Sequence, residues 1–502
     1  MVRVGCPSHN CGGRCLLRVH LKDGVIARIE TDDRPGDTVS DPQLRACIRG
    51  RSYRHRQYHK DRLRYPLKRV GERGSGDFER ISWDEATDMM AENIQRIREQ
   101  YGNTSIYIPY GTGSYNQTNG KWPADRLMHM YGGALGYYNS YSWACITRAT
   151  ATVYGTDVCG NQRQDWLNSQ FIIMWGWNPS EMRDGTNSEY FLKEARKKGA
   201  RIICIDPRMT MSAVALADDW IAIRPGTDVA LMSAMAWVMI TEDLYDKDFV
   251  DKYCMGFDRS QMPEAYSNEE SYKDYILGIR DGQPKTPEWA ENITSVPRED
   301  IVRIAREYAT AESAVLYQGY GMQRRAYGEQ VVRGGCVLAA ITGNVGNAGG
   351  WASGIALQAG GGPCWNVFPV LENPGRAQIP SFIWSEAVLR GPELTDKEGL
   401  VGIDKLPHGI KMIWAVASNA IVNQHANINR TIDIIRDTSK LEFFAVQDNF
   451  MTVTAKFADI VLPACTQFDT WGLEDGWKYG EDVILQTQIL EPPWAPKSDD
   501  AI

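Results

Sequence analysis

Four cysteines near the start constrain this chain most: Cys6, Cys11, Cys15 and Cys47, spaced C-x4-C-x3-C-x31-C. Three thiols fall within ten residues, and a fourth arrives from a distant turn. Four thiolates set at corners in this way suit an iron–sulfur cubane. They also suit a tetrahedral structural zinc, although zinc ribbons usually show two close pairs and this chain has a triplet plus one. Buried thiols without a metal are the third reading. Gly12 and Gly13 lie between Cys11 and Cys15, and glycine reaches backbone angles that other residues avoid. Arg45, Arg49 and Arg51 flank Cys47, so positive charge lies beside what would be an anionic centre.

A chain of 502 residues is long enough for roughly three domains. Its 43% hydrophobic and 24% charged residues are ordinary for a soluble globular protein. A net charge of −8 argues against non-specific nucleic-acid binding, which needs a basic face. Apolar runs are too short for a membrane span. Residues 1–5 leave no room for a signal peptide before Cys6, so the chain is expected to be cytoplasmic or to lack its targeting segment. Eleven cysteines, an odd number, weaken a full disulfide framework. Cys145, Cys159, Cys204, Cys254, Cys336, Cys364 and Cys465 read as buried thiols. At the other end, Pro492, Pro493 and Pro496 mark a loop, and residues 497–502 read as a helix start with Ser498 as N-cap. That helix has no body, so the sequence reads as a truncated product.

Residues 1–58 are β-biased and turn-rich, and runs at 16–21 and 25–30 flank Lys22-Asp23-Gly24, a hairpin signal. A helix is predicted from a capping box at Ser82 and Glu85 to about Tyr101, ended by Gly102. Beyond it, apolar runs predict strands at 105–109, 171–175, 201–205, 220–223, 314–318, 411–416 and 441–446. Most are short and continuous, as strands buried on both faces are. Helices are predicted at 188–198, 228–240, 299–310, 330–341 and 429–437. The alternation argues for an α/β fold with mainly parallel sheets.

In open parallel sheets, ligands bind at the carboxyl ends of strands. Here those ends carry Gly176-Trp177-Asn178-Pro179, Asp206-Pro207-Arg208, Arg224-Pro225-Gly226-Thr227-Asp228, Gly319-Tyr320-Gly321-Met322-Gln323 and Ala417-Ser418-Asn419. Glycines admit close backbone approach, helix N-termini favour phosphate, and arginines fork onto phosphate oxygens. A carboxylate such as Asp228 accepts from the N–H groups of a guanine edge. Polar turns occur in every α/β protein, but five of this chemistry point to a large nucleotide-type ligand. The Gly-rich 343–350 segment follows a helix pattern, not a strand, so a Rossmann dinucleotide site is excluded.

Together these pieces resemble the molybdopterin oxidoreductases of the dimethyl sulfoxide reductase family. The resemblance runs in order through CPSHNCGGRC at 6–15, ACIRGRS at 46–52, RLRYPLKRVGERGSGDFERISWDEA at 62–86, YGTG at 110–113, YNSYSWA at 138–144, WGWNPSE at 175–181, IDPRMT at 205–210, IRPGTDVAL at 223–231, ITGNVGNAGG at 341–350 and ADIVLPA at 458–464.

The resemblance implies a bis(molybdopterin guanine dinucleotide) molybdenum cofactor and one [4Fe–4S] cluster on Cys6, Cys11, Cys15 and Cys47. The first gap is longer than the family usually shows, and His9 within it is the alternative first ligand. Arg49 matches a basic residue between cluster and pterin. Ser142 matches the molybdenum ligand, with Ser140 and Cys145 as alternatives. Trp175, Gly176, Asn178, Asp206, Arg208, Gly226 and Asp228 match one nucleotide-binding region. Gly321, Gln323, Ser418, Asn419, Asp448 and Thr452 match contacts to the other side. Trp143 and Tyr115 either shape a substrate funnel or are packed aromatics.

The implied architecture is a cluster domain at 1–58, a pterin-binding α/β domain at 59–147 and 340–465, and a nucleotide-binding α/β domain at 148–339. The two α/β domains are interleaved and doubly wound. Residues 466–502 begin the connection to a barrel-like C-terminal domain that is missing. The implied activity is reduction of an S- or N-oxide by oxygen-atom transfer in anaerobic respiration, fed by an iron–sulfur subunit with a membrane-anchor subunit in the periplasm. Reduction of selenate or another oxyanion on the same scaffold is the alternative. A fragment that binds only a cluster or zinc is the other.

Overall fold

The computed structural model of the chain describes residues 1–6, 11–111, 120–182, 185–355, 369–474, 483–494 and 496–502. His9, Tyr115 and Cys364 lie outside the described residues.

Three antiparallel strands open the chain: β1 (Val2–Gly5), β2 (Leu16–Lys22) and β3 (Val25–Thr31). Asp23 and Gly24 join the last two at φ 51° and 75°, the pair of positive angles that a type I′ hairpin requires. One face buries Leu17, Val19, Ile26 and Ile29, together with Phe468 from far along the chain. Strands β4 (Leu67–Arg69) and β5 (Phe78–Arg80) follow, then the helix Trp83–Tyr101. Ser82 Oγ caps it by accepting from the Glu85 N–H (3.1 Å), while the Glu85 carboxylate faces Lys68 instead of closing the box.

After β6 (Ile106–Tyr107) and β7 (Gly136–Tyr138) comes a four-stranded parallel sheet. Its strands are β8 (Phe171–Trp175), β9 (Arg201–Ile205), β10 (Asp219–Ile221) and β11 (Ala314–Gln318), in the order β10-β9-β8-β11. Successive residues of β8 point to opposite faces. Phe171, Ile173 and Trp175 pack with the helices Asp228–Thr241 and Arg298–Thr310, whereas Ile172 and Met174 pack with Ser188–Lys197 and Ala144–Tyr154. Both faces are dry, which is why the strand reads as an unbroken apolar run. The helix Asp228–Thr241 is buried almost all round and so carries no amphipathic stripe.

A second large sheet has the order β5-β4-β15-β14-β13-β6, with β12 (Gln378–Pro380) paired separately to β7. β13 (Met412–Val416), β14 (Phe443–Asp448), β15 (Ile460–Pro463) and β6 run parallel, and β4 and β5 extend one edge antiparallel. This sheet therefore draws on residues 67–107 and 412–463, while the four-stranded sheet is built from chain between them. A last pair, β16 (Gly472–Glu474) and β17 (Ile484–Gln486), is antiparallel.

Expectation and structure part in several places. The strand predicted at 105–109 is two residues long, and that at 220–223 lies at Asp219–Ile221. Between residues 247 and 294, where no element is predicted, lie the helices Lys247–Tyr253, Tyr272–Leu277 and Pro287–Thr294, each capped by the preceding Asp246, Ser271 or Thr286. Ser498 does not start a helix. Ala501 N–H closes a turn onto its carbonyl (3.0 Å), and the Lys497 carbonyl accepts from Cys465 N–H (2.9 Å), tying the segment alongside the end of β15. No described helix is long and apolar enough to cross a membrane.

Candidate functional site

The four cysteines line one space, although among the described residues no three His, Cys, Asp or Glu side chains are set to share one metal ion. Cys6 follows β1 and Cys15 precedes β2, and the Cys6 N–H donates to the Cys15 carbonyl (2.9 Å) across the foot of the sheet. Cys47 is the N-cap of the short helix Ile48–Arg51. With Cys11 they line one cavity of about 70 Å³, together with Arg45 and Arg49. That volume exceeds the ~30 Å³ share of one water, so the space suits a group larger than a single ion. Two glycines make the room. A Cβ on Gly13 would lie 3.2 Å from Cys11 Sγ, and one on Gly50 only 2.7 Å from Cys6 Sγ.

The far wall of this cage comes from residues 185–190, which the cysteine spacing does not reveal. Thr186 Oγ1 accepts from the Arg14 N–H (2.6 Å) and sits 3.3 Å from Cys15 Sγ. Gly185 N–H donates to the Cys11 carbonyl (2.8 Å). The cage is thus closed by the α/β part of the chain.

Ser142 lies just before the helix Ala144–Tyr154. Its Oγ accepts from Arg324 Nη2 (3.0 Å), and its carbonyl accepts from Gln323 Nε2 (2.8 Å) and Arg324 Nε (3.1 Å). Ser140 behaves differently. It is buried, and its Oγ accepts from the N–H groups of Ser142 (3.3 Å) and Trp143 (3.1 Å), as a turn hydroxyl does. Burial pushes the Cys145 thiol up, and nearby Glu329 adds to the shift. Trp143 packs edge-on against Tyr320, an aromatic contact of the core. Beside Ser142, Tyr141 shares a hydrogen bond with His425 Nδ1 (2.9 Å), and His425 Nε2 meets Ser385 Oγ (3.0 Å).

The carboxyl ends of the four-stranded sheet gather Gly176, Asn178, Asp206, Arg208, Gly226 and Asp228. Asp228 opens the helix Asp228–Thr241, with Oδ1 accepting from Trp175 Nε1 (3.0 Å) and Oδ2 3.6 Å from Arg325. The Trp175 ring is fully buried and meets this region at the Asp228 carboxylate. Gly176 (φ 56°) has no room for a Cβ beside Met322. Asn178 Oδ1 accepts from Ser212 Oγ (2.6 Å), and Arg208 Nη2 lies 3.4 Å from Glu181. Burial pushes the Asp206 carboxyl up, against the Arg208 N–H that it accepts (2.9 Å).

The ends of the six-stranded sheet enclose a cavity of about 250 Å³. Ser418, Asn419 and Asp448 line it, as do Arg56, Gln447 and Asp499, which sequence reasoning missed. Ser418 Oγ donates to the Tyr110 carbonyl (2.6 Å), and Arg56 Nη2 to Asn449 Oδ1 (2.6 Å). Burial pushes Asp448 up and takes Asp499 up to about 6. The buried Gln447 Oε1 has no donor among the described residues, an orphan that a bound group would satisfy. Thr452 does not join this lining, because its Oγ1 accepts from Ala455 N–H (3.1 Å) in a local turn. Gln323 sits at Ser142, not with Ser418 and Asp448. Gly321, two residues before it, has open space where a Cβ would stand.

Comparison with known proteins agrees with this layout. Residues 2–59 match the molybdopterin oxidoreductase Fe4S4 domain, and residues 62–502 match molybdopterin oxidoreductase. Dimethyl sulfoxide reductase DmsA of Escherichia coli is 46% identical over 503 residues, covering 97% of this chain and 61% of that protein. DmsA of Haemophilus influenzae is 46% identical over 498 residues, covering 96% and 61%. The dimethyl sulfoxide/trimethylamine N-oxide reductase of Rhodobacter capsulatus is 31% identical, covering 88% and 56%. The chain thus spans about three-fifths of the length of the curated relatives it matches. Acetylene hydratase from Pelobacter acetylenicus shares the fold at TM-score 0.70 and 23% identity, covering 99% of this chain and 67% of that one. With both profiles spanning nearly every residue, the chain belongs to the molybdopterin oxidoreductase family.

Proposed function

We propose that this chain is the catalytic part of a molybdenum oxidoreductase that reduces an S- or N-oxide of the dimethyl sulfoxide type. The observation that carries the reading is the thiol cage, four cysteines around one cavity with glycine walls, set against the strand-end cradles of two parallel sheets. Cys6, Cys11, Cys15 and Cys47 would hold a [4Fe–4S] cluster, and Arg49 at the cavity rim would set a positive charge toward the pterin. Ser142 would hold molybdenum; what supports it over Ser140 is a hydroxyl facing a guanidinium instead of its own turn.

A bis(molybdopterin guanine dinucleotide) would lie across both cradles. Asn178, Asp206, Arg208, Gly226 and Asp228 would hold one dinucleotide, and Ser418, Asn419 and Asp448 the other. The group would supply two-electron oxygen-atom transfer at molybdenum. The chain's own part is to bind and orient. Gly176 lets the backbone come close, and the N-terminus of the helix Asp228–Thr241 offers N–H groups to an anion. The domain division at 58, 147, 339 and 465 is supported by a six-stranded sheet built from two separate stretches of chain. Membership of this family supports an iron–sulfur partner subunit, a membrane-anchor subunit and a periplasmic site of action.

The test is metal analysis with a substrate panel. Protein purified anaerobically with its cofactor should hold about four irons per chain and molybdenum. It should oxidise reduced viologen with dimethyl sulfoxide or trimethylamine N-oxide in preference to selenate. Stoichiometric zinc without iron would sink the reading.

A further inference from the structure

We infer that the Thr186 hydroxyl donates a hydrogen bond to the Cys15 thiolate and so sets the reduction potential of the cluster, with Arg163 as the positioning residue that holds it there. The inference rests on the reading of the thiol cage as an iron–sulfur site.

Thr186 Oγ1 lies 3.3 Å from Cys15 Sγ. The same oxygen accepts from the Arg14 N–H (2.6 Å), so one lone pair is taken and the hydroxyl proton turns away from that bond. A sulfur that ligates a metal is a thiolate, and a thiolate accepts. The Thr186 O–H is therefore aimed at Cys15. Cys15 is buried, and a hydrogen bond there is electrostatically stronger than in water.

The hydroxyl is held from two sides by the strap of residues 185–188, which walls the cage. Toward the cysteines, Gly185 N–H donates to the Cys11 carbonyl (2.8 Å) and Asn187 Nδ2 to the Gln43 carbonyl (2.9 Å). From behind, the buried Arg163 donates through Nε to Ser188 Oγ (2.9 Å). Its guanidinium also stands against Gly185, where a Cβ would not fit. Gly185 has φ 97°, so backbone and space both call for glycine. Arg163 opens the turn Arg163–Asn168 that leads into β8. The four-stranded sheet thus fixes where Thr186 stands.

Reduction adds one negative charge to the cluster and its thiolates. A donor on a thiolate holds the reduced state better than the oxidised one, which raises the potential. Valine at position 186 would keep the branched shape and lose the donor.

The test is a dithionite titration of the full chain after anaerobic reconstitution, followed by electron paramagnetic resonance of the reduced cluster. Thr186→Val should keep about four irons and lower the midpoint by about 59 mV, a tenfold shift of a one-electron equilibrium. Its proton double-resonance spectrum should lack one coupling that exchanges in deuterium oxide. Thr186→Ser should restore both midpoint and coupling. Arg163→Gln should lower the midpoint in the wild-type background and add little in Thr186→Val, because it acts through the hydroxyl. Equal shifts in both backgrounds would make Arg163 a direct charge effect and overturn its assigned role. Full iron with unchanged midpoint and couplings in Thr186→Val would overturn the proposal. Should Thr186→Val hold no iron, Arg163→Gln decides: a lowered midpoint with the exchangeable coupling weakened supports the proposal, and an unchanged midpoint overturns it. Wild-type protein that takes up no iron sinks the cage reading, and the proposal with it.

Discussion

Arg324 grips Ser142 at two atoms, with Nη2 on the hydroxyl (3.0 Å) and Nε on the carbonyl (3.1 Å). The two residues come from different elements, so the contact joins the loop after β11 to the loop before the helix Ala144–Tyr154. A guanidinium at a hydroxyl favours the oxygen in its charged form and fixes its direction.

If Ser142 holds molybdenum, Arg324 is a positioning residue for it. A charge-assisted hydrogen bond contributes about 1.5–3 kcal/mol, so Arg324→Ala should lower turnover of the loaded enzyme roughly 10- to 100-fold with molybdenum content retained. Arg324→Lys should keep the charge but lose the fork. Ser142→Ala should remove one oxygen ligand in molybdenum X-ray absorption spectra. Ser140→Ala should cost only about 1 kcal/mol of stability, as loss of a capping hydroxyl does. Absorption spectra that change with Ser140 and not with Ser142 would reverse the assignment.

Gly50 reports on the cage without touching the pterin region. Its Cβ would fall 2.7 Å from Cys6 Sγ, in a short helix where φ is no obstacle. Gly50→Ala should therefore push a thiol aside while the fold survives. The expected result is iron content well below that of the wild type after identical anaerobic reconstitution, with unchanged far-ultraviolet circular dichroism.

What the sequence made legible follows from physics that acts locally. β8, β11 and β13 are dry on both faces, so their residues read as unbroken apolar runs at the right length. The cysteine triplet is legible because its chemistry is rare. Contacts between remote segments are not. Thr186 meets Cys15 across 171 residues and Arg324 meets Ser142 across 182, and nothing near either residue marks the pairing. Trp175 stands at a strand end with its ring buried and donating to Asp228, and its place in the sequence alone does not separate a packed ring from a ligand contact.

A buried network ties the helices after Cys47 to the loop after β15. Arg62 Nη2 and Gln57 Nε2 each donate to the Asp469 carboxylate, and Thr466 donates through N–H and Oγ1 at 3.0 Å. Both Arg62 and Asp469 side chains are fully buried. Removing one partner strands the other charge, so Asp469→Ala should destabilise by about 3–5 kcal/mol, seen as a lower urea midpoint. The double change Arg62→Met with Asp469→Leu should recover only part of that loss, because apolar replacement removes the stranded charge but leaves Gln57 and Thr466 without their acceptor.

Asp499 gives a pH signature of its own. Burial takes its carboxyl up to about 6, against donors from Gly120 N–H and Gln447 Nε2 (both 2.7 Å) and with help from Asp448 and Asp500. An unfolded Asp titrates near ~3.9. Between those values the folded chain binds more protons than the unfolded one, so this group's contribution falls as pH rises from about 4 to 6. Below that window it is neutral in both states; above it, the folded state carries a disfavoured charge worth on the order of 3 kcal/mol. Asp499→Asn stays neutral throughout. Relative to wild type, its urea midpoint should therefore improve between pH 4 and pH 7, with most of the change near pH 5–6. A difference that stays constant across that range would mean Asp499 is ionised in the folded chain at its ordinary pKa.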